Sequence, residues 1–265
     1  MANVRHSVVS ILENIRENPS NLIRTSQFAE ELGVASGTLI RICRAVTGLT
    51  PSRFRSCARM EQAKCLLLHS DLPITDISFG VGYESLGTFI RTFTRLVGIS
   101  PTHFRRLAHQ LTIDDILSAA FSVHDSLGMV GHPGDKLVLG SLPYDVHWST
   151  YVVAIGLFAE ARPVGRPLSG CVLLGCGRFE LIWPAENDEV YVLAFRIPLT
   201  ADPEIMWIPS SFDILVASHV LREDQHVNND TVMVDLFFRR ANKTDPPIVA
   251  PIPILLGVSS SRKDS

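Results

Sequence analysis

The chain repeats itself once. Gly37-Thr38-Leu39-Ile40-Arg41 returns fifty residues later as Gly87-Thr88-Phe89-Ile90-Arg91. At the same offset, Gly48-Leu49-Thr50-Pro51-Ser52-Arg53-Phe54-Arg55 returns as Gly98-Ile99-Ser100-Pro101-Thr102-His103-Phe104-Arg105. A match held at one offset marks a structural unit used twice, and two copies are too few for a solenoid. Each copy has helical apolar spacing, arginine on its polar side and a Gly-x-[Thr/Ser]-Pro stop. The doubled unit is therefore expected to be small and all-α.

Helix boundaries follow from periodicity and stop signals. Apolar residues at 8, 11, 12 and 15 make one helical stripe that ends before Asn18-Pro19. A second helix is expected over 25–32, closed by Gly33, whose missing Cβ suits a left-handed cap in a sharp inter-helix turn. A third, over 36–46, turns Leu39, Ile42, Cys43 and Val46 inward and leaves Ser36, Gly37, Ile40, Arg41 and Arg44 outward. Helix, glycine turn and helix with outward arginine is the pattern of a helix-turn-helix. Pro51 starts a long helix to about residue 68, with Phe54, Cys57, Ala58, Ala63, Leu66 and Leu67 inside. After Pro73 the pattern restarts and leads to a second reading helix over 85–97. Phe89, Thr92, Phe93 and Leu96 face inward there, and Leu86, Gly87, Ile90, Arg91 and Arg95 outward.

Taken together these motifs resemble the AraC/XylS family of bacterial transcription regulators. The first copy contributes Phe28-Ala29-x-x-Leu32-Gly33-Val34, Leu39-x-Arg41, Gly48-x-x-Pro51-x-x-Phe54, Arg59-x-x-x-Ala63 and Leu66-Leu67. The second contributes Ile74-x-x-Ile77-x-x-x-Val81-Gly82-Tyr83, Phe89-x-Arg91-x-Phe93 and Gly98-x-x-Pro101-x-x-Phe104-Arg105. The resemblance covers about the first 108 residues. It implies seven helices, two helix-turn-helix units spaced by the central long helix, and reading helices that enter successive major grooves of duplex DNA. Most of that family carries this domain last, whereas here it comes first. Carried onto this chain, the base-reading positions are Gly37, Ile40, Arg41, Gly87, Ile90 and Arg91. Arginine suits guanine and isoleucine suits a thymine methyl, although both isoleucines could instead pack on neighbouring helices. Ser36, Arg44, Arg53, Arg55, Arg95, Arg105 and Arg106 are expected at phosphates or as plain surface charge.

Beyond about residue 110 the texture changes. One more helix is expected over 111–121, then a turn-rich connection around His132-Pro133-Gly134-Asp135. Short runs with strand chemistry follow at 137–139, 149–158, 171–175, 178–183, 189–196, 213–219 and 231–239, and twelve of the sixteen prolines lie after residue 110. Such runs, cut by Pro, Gly and Asn turns, predict a mainly-β antiparallel sandwich or barrel. The organisation expected is a DNA-binding domain at 1–108, a connecting helix and linker at 109–140, a β-rich ligand-binding or oligomerisation domain at 141–258, and a disordered tail at 259–265.

Charge sharpens the division. Residues 1–110 hold 13 Lys and Arg against 8 Asp and Glu, a net +5, and residues 111–265 hold 11 against 19, a net −8. A basic front suits a polyanion and an acidic rear does not. The five cysteines are odd in number and lack a C-x-x-C, which argues against a disulfide framework and for a reducing cytoplasm. No signal-like or membrane-spanning run is present in the sequence, with 246–258 broken by prolines. Cys171-x4-Cys176 has the wrong spacing for a zinc pair, and no nucleophile motif appears, so neither enzyme nor cofactor is expected. Trp148, Trp183, Tyr191 and Trp207 either line an apolar ligand pocket or fill a core. The reading is a sequence-specific regulator with double-stranded DNA, RNA polymerase, a small effector and a second copy of the chain as candidate partners. An enzyme fused to a DNA-binding module and an architectural DNA binder are the competing classes.

Overall fold

The computed structural model describes residues 2–21, 23–116, 118, 132–143, 150–199, 204–209, 214–222, 230–242 and 244–255. The chain forms two compact units. One holds residues 1–106 and 242–249, the other 107–241 and 250–265.

The first unit is helical. Its helices are α1 (Ala2–Glu17), α2 (Thr25–Glu31), α3 (Ser36–Thr47), α4 (Pro51–His69), α5 (Ile74–Gly80), α6 (Leu86–Val97) and α7 (Pro101–Gln110); α2, α3, α4 and α6 match the expected boundaries to within a residue, and α1 begins six residues before the expected stripe. The repeated stop is a pair of caps. Gly48 and Gly98 close α3 and α6 in the left-handed conformation, with φ of 73° and 98°, where a side chain would clash with its own backbone. Two residues on, Thr50 Oγ1 accepts from Arg53 N at 3.3 Å and Ser100 Oγ from His103 N at 3.3 Å. Pro51 and Pro101 then open the next helices, where proline's missing N–H costs nothing.

The two copies differ inside. In the second, Tyr83, Phe89, Phe93 and Phe104 form a series with centroids 5.5, 5.7 and 5.8 Å apart, the first and last pairs edge-to-face and the middle pair tilted. The first copy places buried Leu39, Cys43 and Phe54 at the positions of those last three phenylalanines. Ile42, Val46 and Leu66, expected inside, are only half-buried, whereas Met60 and Lys64 of α4 are fully buried.

The expected β domain at 141–258 needs correction at its C-terminal side, because residues 242–249 belong to the helical unit. Arg16 donates to the Asp245 carbonyl at 2.6 Å and the Lys64 ammonium to the Ile248 carbonyl at 3.0 Å. Pro247, Ile248 and Val249 are buried. The short apolar stretch Pro246-Pro247-Ile248-Val249 carries no mark of which core it enters.

The second unit is built on two sheets. Strands are β1 (Lys136–Leu142), β2 (Tyr151–Phe158), β3 (Ser169–Leu174), β4 (Gly177–Trp183), β5 (Glu189–Pro198), β6 (Leu215–Arg222), β7 (Thr231–Val234) and β8 (Arg239–Arg240). Their orders are β4-β1-β7 and β3-β2-β5-β6-β8. Val138, Phe179, Leu181, Trp183, Val232 and Val234 from the first sheet share one core with Val153, Ile155, Leu157, Val190, Val192 and Ala194 from the second, so the unit is a sandwich. The second sheet is also covered outside. All of β2 is buried, and the short helices α8 (Glu204–Trp207) and α9 (Ile252–Leu255) pack together, α9 lying on β2.

Two strand expectations are corrected. The sandwich is not wholly antiparallel, since β1 and β7 run parallel. The single run expected at 231–239 is two strands in different sheets: β7 pairs with β1 and β8 with β6. Of the helix expected at 111–121, residues 113–116 are helical and Thr112 with Asp115 caps them reciprocally, Thr112 N donating to Asp115 Oδ2 at 3.0 Å and Asp115 N to Thr112 Oγ1 at 3.1 Å. Ser118 is also helical; residues 117 and 119–121 of that helix, the tail at 259–265 and Trp148 lie outside the described residues.

Candidate nucleic-acid interface

On the two repeated helices most side chains that periodicity assigned outward are exposed, and two, Ile40 and Leu86, are half-buried. On α3, Ser36, Gly37, Arg41 and Arg44 are exposed and Ile40 is half-buried. On α6, Gly87, Arg91 and Arg95 are exposed, Ile90 keeps 37% of its surface in solvent, and Leu86 is half-buried. Thr88 Oγ1 accepts from the Arg91 guanidinium at 3.4 Å, and Ser85 caps the helix by accepting from Thr88 N at 3.3 Å. The first reading helix begins at Ala35, which makes no side-chain cap. An apolar side chain beside a guanidinium on an exposed helix face offers both a methyl contact and a forked donor, the two chemistries that major-groove edges read.

The seven expected phosphate positions divide. Arg44, Arg53, Arg95 and Arg106 are exposed, as is Ser36. Arg55 and Arg105 are engaged within the fold instead. The Arg55 guanidinium lies 5.7 Å above the Phe28 ring, and burial together with the nearby Arg59 charge lowers its pKa from the usual arginine value. Arg105 donates to the Leu67 carbonyl at 3.4 Å and to the Leu72 carbonyl at 2.7 Å, tying α7 to the end of α4. Both carry positive charge near the surface, but their geometry is set by these internal contacts.

The residue that relates the two copies was visible in the sequence only as part of a motif. Arg59 of α4 donates to the Pro19 carbonyl at 2.8 Å, and its guanidinium stands 5.4 Å from the centre of the Tyr83 ring. Pro19 belongs to the α1–α2 loop and Tyr83 to the α5–α6 turn, so one side chain links the approach to the first helix-turn-helix with the turn of the second. Gly82 fits the same junction: at φ 85°, a Cβ there would stand 2.9 Å from the Ser20 carbonyl oxygen. The contact needs glycine for conformation and for space.

In the β-rich unit the aromatic candidates serve the fold. Trp183 and Trp207 are each 1% exposed. The Trp183 indole donates to the Asn187 carbonyl at 2.6 Å, with the Lys136 ammonium 4.7 Å from its ring centre. Tyr191 donates to Glu189, which also accepts from Arg222 at 2.7 Å across β5 and β6. Those two hydrogen bonds lower the Glu189 pKa. Of the two tryptophans, Trp183 packs within the sandwich core. Cys171 is desolvated, its thiol pushed up to about 12. Among the described residues no group of three His, Cys, Asp or Glu side chains is placed to hold a metal ion. No described helix is long and apolar enough to cross a membrane.

Residues 28–107 match the model of a family described as a helix-turn-helix domain. The chain is 29% identical over 103 residues to the melibiose operon regulatory protein of Escherichia coli (strain K12), which covers 39% of this chain and 34% of that protein. It is 32% identical over 103 residues to the HTH-type transcriptional activator RhaR of Salmonella schwarzengrund (strain CVM19633), covering 39% and 36%. The chain thus spans about a third of the length of the curated relatives it matches. Among solved structures it is similar to a transcriptional regulator from Chromobacterium violaceum described as containing an AraC-type DNA-binding domain. That match has 22% identity and a TM-score of 0.38, over 42% of this chain and all of the other.

Proposed function

We propose, from the premise that residues 28–107 form an AraC-type helix-turn-helix domain, that this chain is a sequence-specific DNA-binding transcription regulator rather than an enzyme. The observation that carries this reading is the pair of Ile–Arg faces on α3 and α6, with both arginines and Ile90 exposed and Ile40 half-buried, borne by one helical unit in which Arg59 links the loop before α2 to the turn before α6. Gly37, Ile40, Arg41, Gly87, Ile90 and Arg91 read bases. Ser36, Arg44, Arg53, Arg95 and Arg106 meet phosphates, with Arg55 and Arg105 adding charge from fixed positions. The net −8 of the second half keeps the β-rich unit off the duplex and suits it to a small effector or to a second copy of the chain. RNA polymerase is the further partner that regulation of transcription requires. The odd number of cysteines and the lack of a C-x-x-C suit a reducing cytoplasm as the site of action.

The test is binding of the purified full chain to a duplex selected from a random pool. Arg41→Ala and Arg91→Ala are each expected to lose about 1–3 kcal/mol on the selected duplex and little on random DNA. Arg53→Ala or Arg106→Ala should weaken both duplexes alike and reduce the salt slope by roughly one. A chain that enriches no duplex would overturn the proposal.

A further inference from the structure

The two repeated helices share one outer patch, around Gly37–Arg41 and Gly87–Arg91, and are unlike where they meet their own cores. At the inner positions Leu39 is answered by Phe89, Ile42 by Thr92, Cys43 by Phe93 and Val46 by Leu96. On the outer face Gly37, Thr38, Ile40 and Arg41 are answered by the same four residues at 87, 88, 90 and 91, whereas around them Ser36 is answered by Leu86, Arg44 by Thr94 and Ala45 by Arg95. Two helices that shared nothing but a fold would show the reverse, because packing constrains the inside more than the surface. The likeness therefore serves something outside the protein.

The glycines make the case specific. Gly37 and Gly87 are the second residues of α3 and α6, and neither takes a left-handed backbone. A Cβ added at Gly37 meets nothing within 4 Å, and one at Gly87 meets only Ser85 Oγ at 3.9 Å. The fold has room for alanine at both places, and alanine favours a helix. What a bare helical backbone adds is closer approach by a neighbouring molecule. The same opening sits one turn before the same Ile–Arg pair on both helices. Between the two heads lies α4, whose 19 residues span about 28 Å at ~1.5 Å per residue. That length is comparable to the roughly 34 Å between successive turns of the major groove.

We infer that α3 and α6 are equivalent readers, each recognising the same short element, a guanine beside a thymine methyl, approached closely over Gly37 or Gly87. One chain's operator then contains that element twice, about one helical turn (~10 bp) apart. The inference rests on the DNA-binding reading and adds the architecture of the site.

Selection from random duplexes with the full chain tests it directly. Two copies of one element within a single chain's footprint, in either relative orientation, are the expected result. Two unrelated halves, or a single element with neutral flanks, overturn the inference while leaving DNA binding intact; no enrichment at all defeats the underlying reading. Gly37→Ala and Gly87→Ala supply a measurement that a purely structural role would move the other way. Each should raise the melting temperature by about 2–5 °C and weaken binding to the recovered duplex roughly tenfold, by similar factors. Unchanged affinity in both variants, or a loss in one alone, overturns the equivalence.

Discussion

Lys64 sits wholly buried on α4 with its ammonium donating to the Ile248 carbonyl. Desolvation pulls its pKa from 10.5 down to about 8, and Glu61, Cys65 and Cys57 oppose that shift. Between those two values the unfolded chain holds a proton that the folded chain has shed. The stability cost of the buried charge is therefore fully present below about pH 8 and is relieved as pH rises toward 10.5. Lys64→Met removes this dependence while keeping a side chain of similar length. The stability of the variant minus that of the wild type should fall by about 2–3 kcal/mol from pH 7 to pH 10 in urea titrations. A flat difference would mean that the amine is not desolvated. Lys64 was legible in part, since 57, 60, 64 and 67 form one helical stripe, all four buried. A residue-type reading gives lysine to solvent by habit and passes over a stripe that places it inside.

At the scale of elements, the asymmetry between the reading helices lies in their first turns. Ser85 caps α6 by accepting from Thr88 N, whereas Ala35 offers α3 no acceptor. Ala35→Ser should stabilise the helical unit by about 1 kcal/mol, and Ser85→Ala should cost about the same. Urea midpoints of the two variants check this; shifts of one sign in both would show that the caps are not equivalent ends. The helices were readable because each is bounded by its own residues, Gly48 with Pro51 and Gly98 with Pro101 among them. The strands were readable as strands but not as partners. From 231 to 238 the even residues Val232, Val234, Leu236 and Phe238 turn toward the sandwich core, so the alternation runs unbroken. The pairing nevertheless changes sheets, from β1 at Thr231–Val234 to β6 at Arg239–Arg240. A period of two fixes which face is buried and says nothing of which strand lies alongside. The candidate reading face was legible for a related reason: outward helix positions follow from period alone. The junction at Arg59, Pro19 and Tyr83 joins residues too far apart in the chain for any local pattern to reveal it.

For the molecule as a whole, the order of the chain and the order of the fold differ. The family resemblance ends the helical domain at 108, yet residues 242–249 are part of it. Through main-chain carbonyls this segment accepts from Arg16 on α1 and from Lys64 on α4. Arg16 also places its guanidinium 5.7 Å from the centre of the Phe54 ring, so both anchors touch the same α1–α4 packing. The isolated fragment 1–108 retains every residue assigned to DNA and is expected to bind the selected duplex. It lacks the segment that covers Lys64, however, and should expose the ammonium's carbonyl partner site to water. A chain ended after residue 241 is therefore predicted to exchange its amides faster in α1 and α4, with α5, α6 and α7 changed far less. Because opening free energies differ between parts of a fold, hydrogen exchange followed peptide by peptide resolves this where a single melting curve does not. Val249→Asp in the full chain, which places a charge at a site with no exposed surface, should reproduce the pattern without shortening the chain. Unaltered protection of α1 and α4 in both proteins would remove 242–249 from the helical unit and return the domain boundary to the place where the sequence first suggested it.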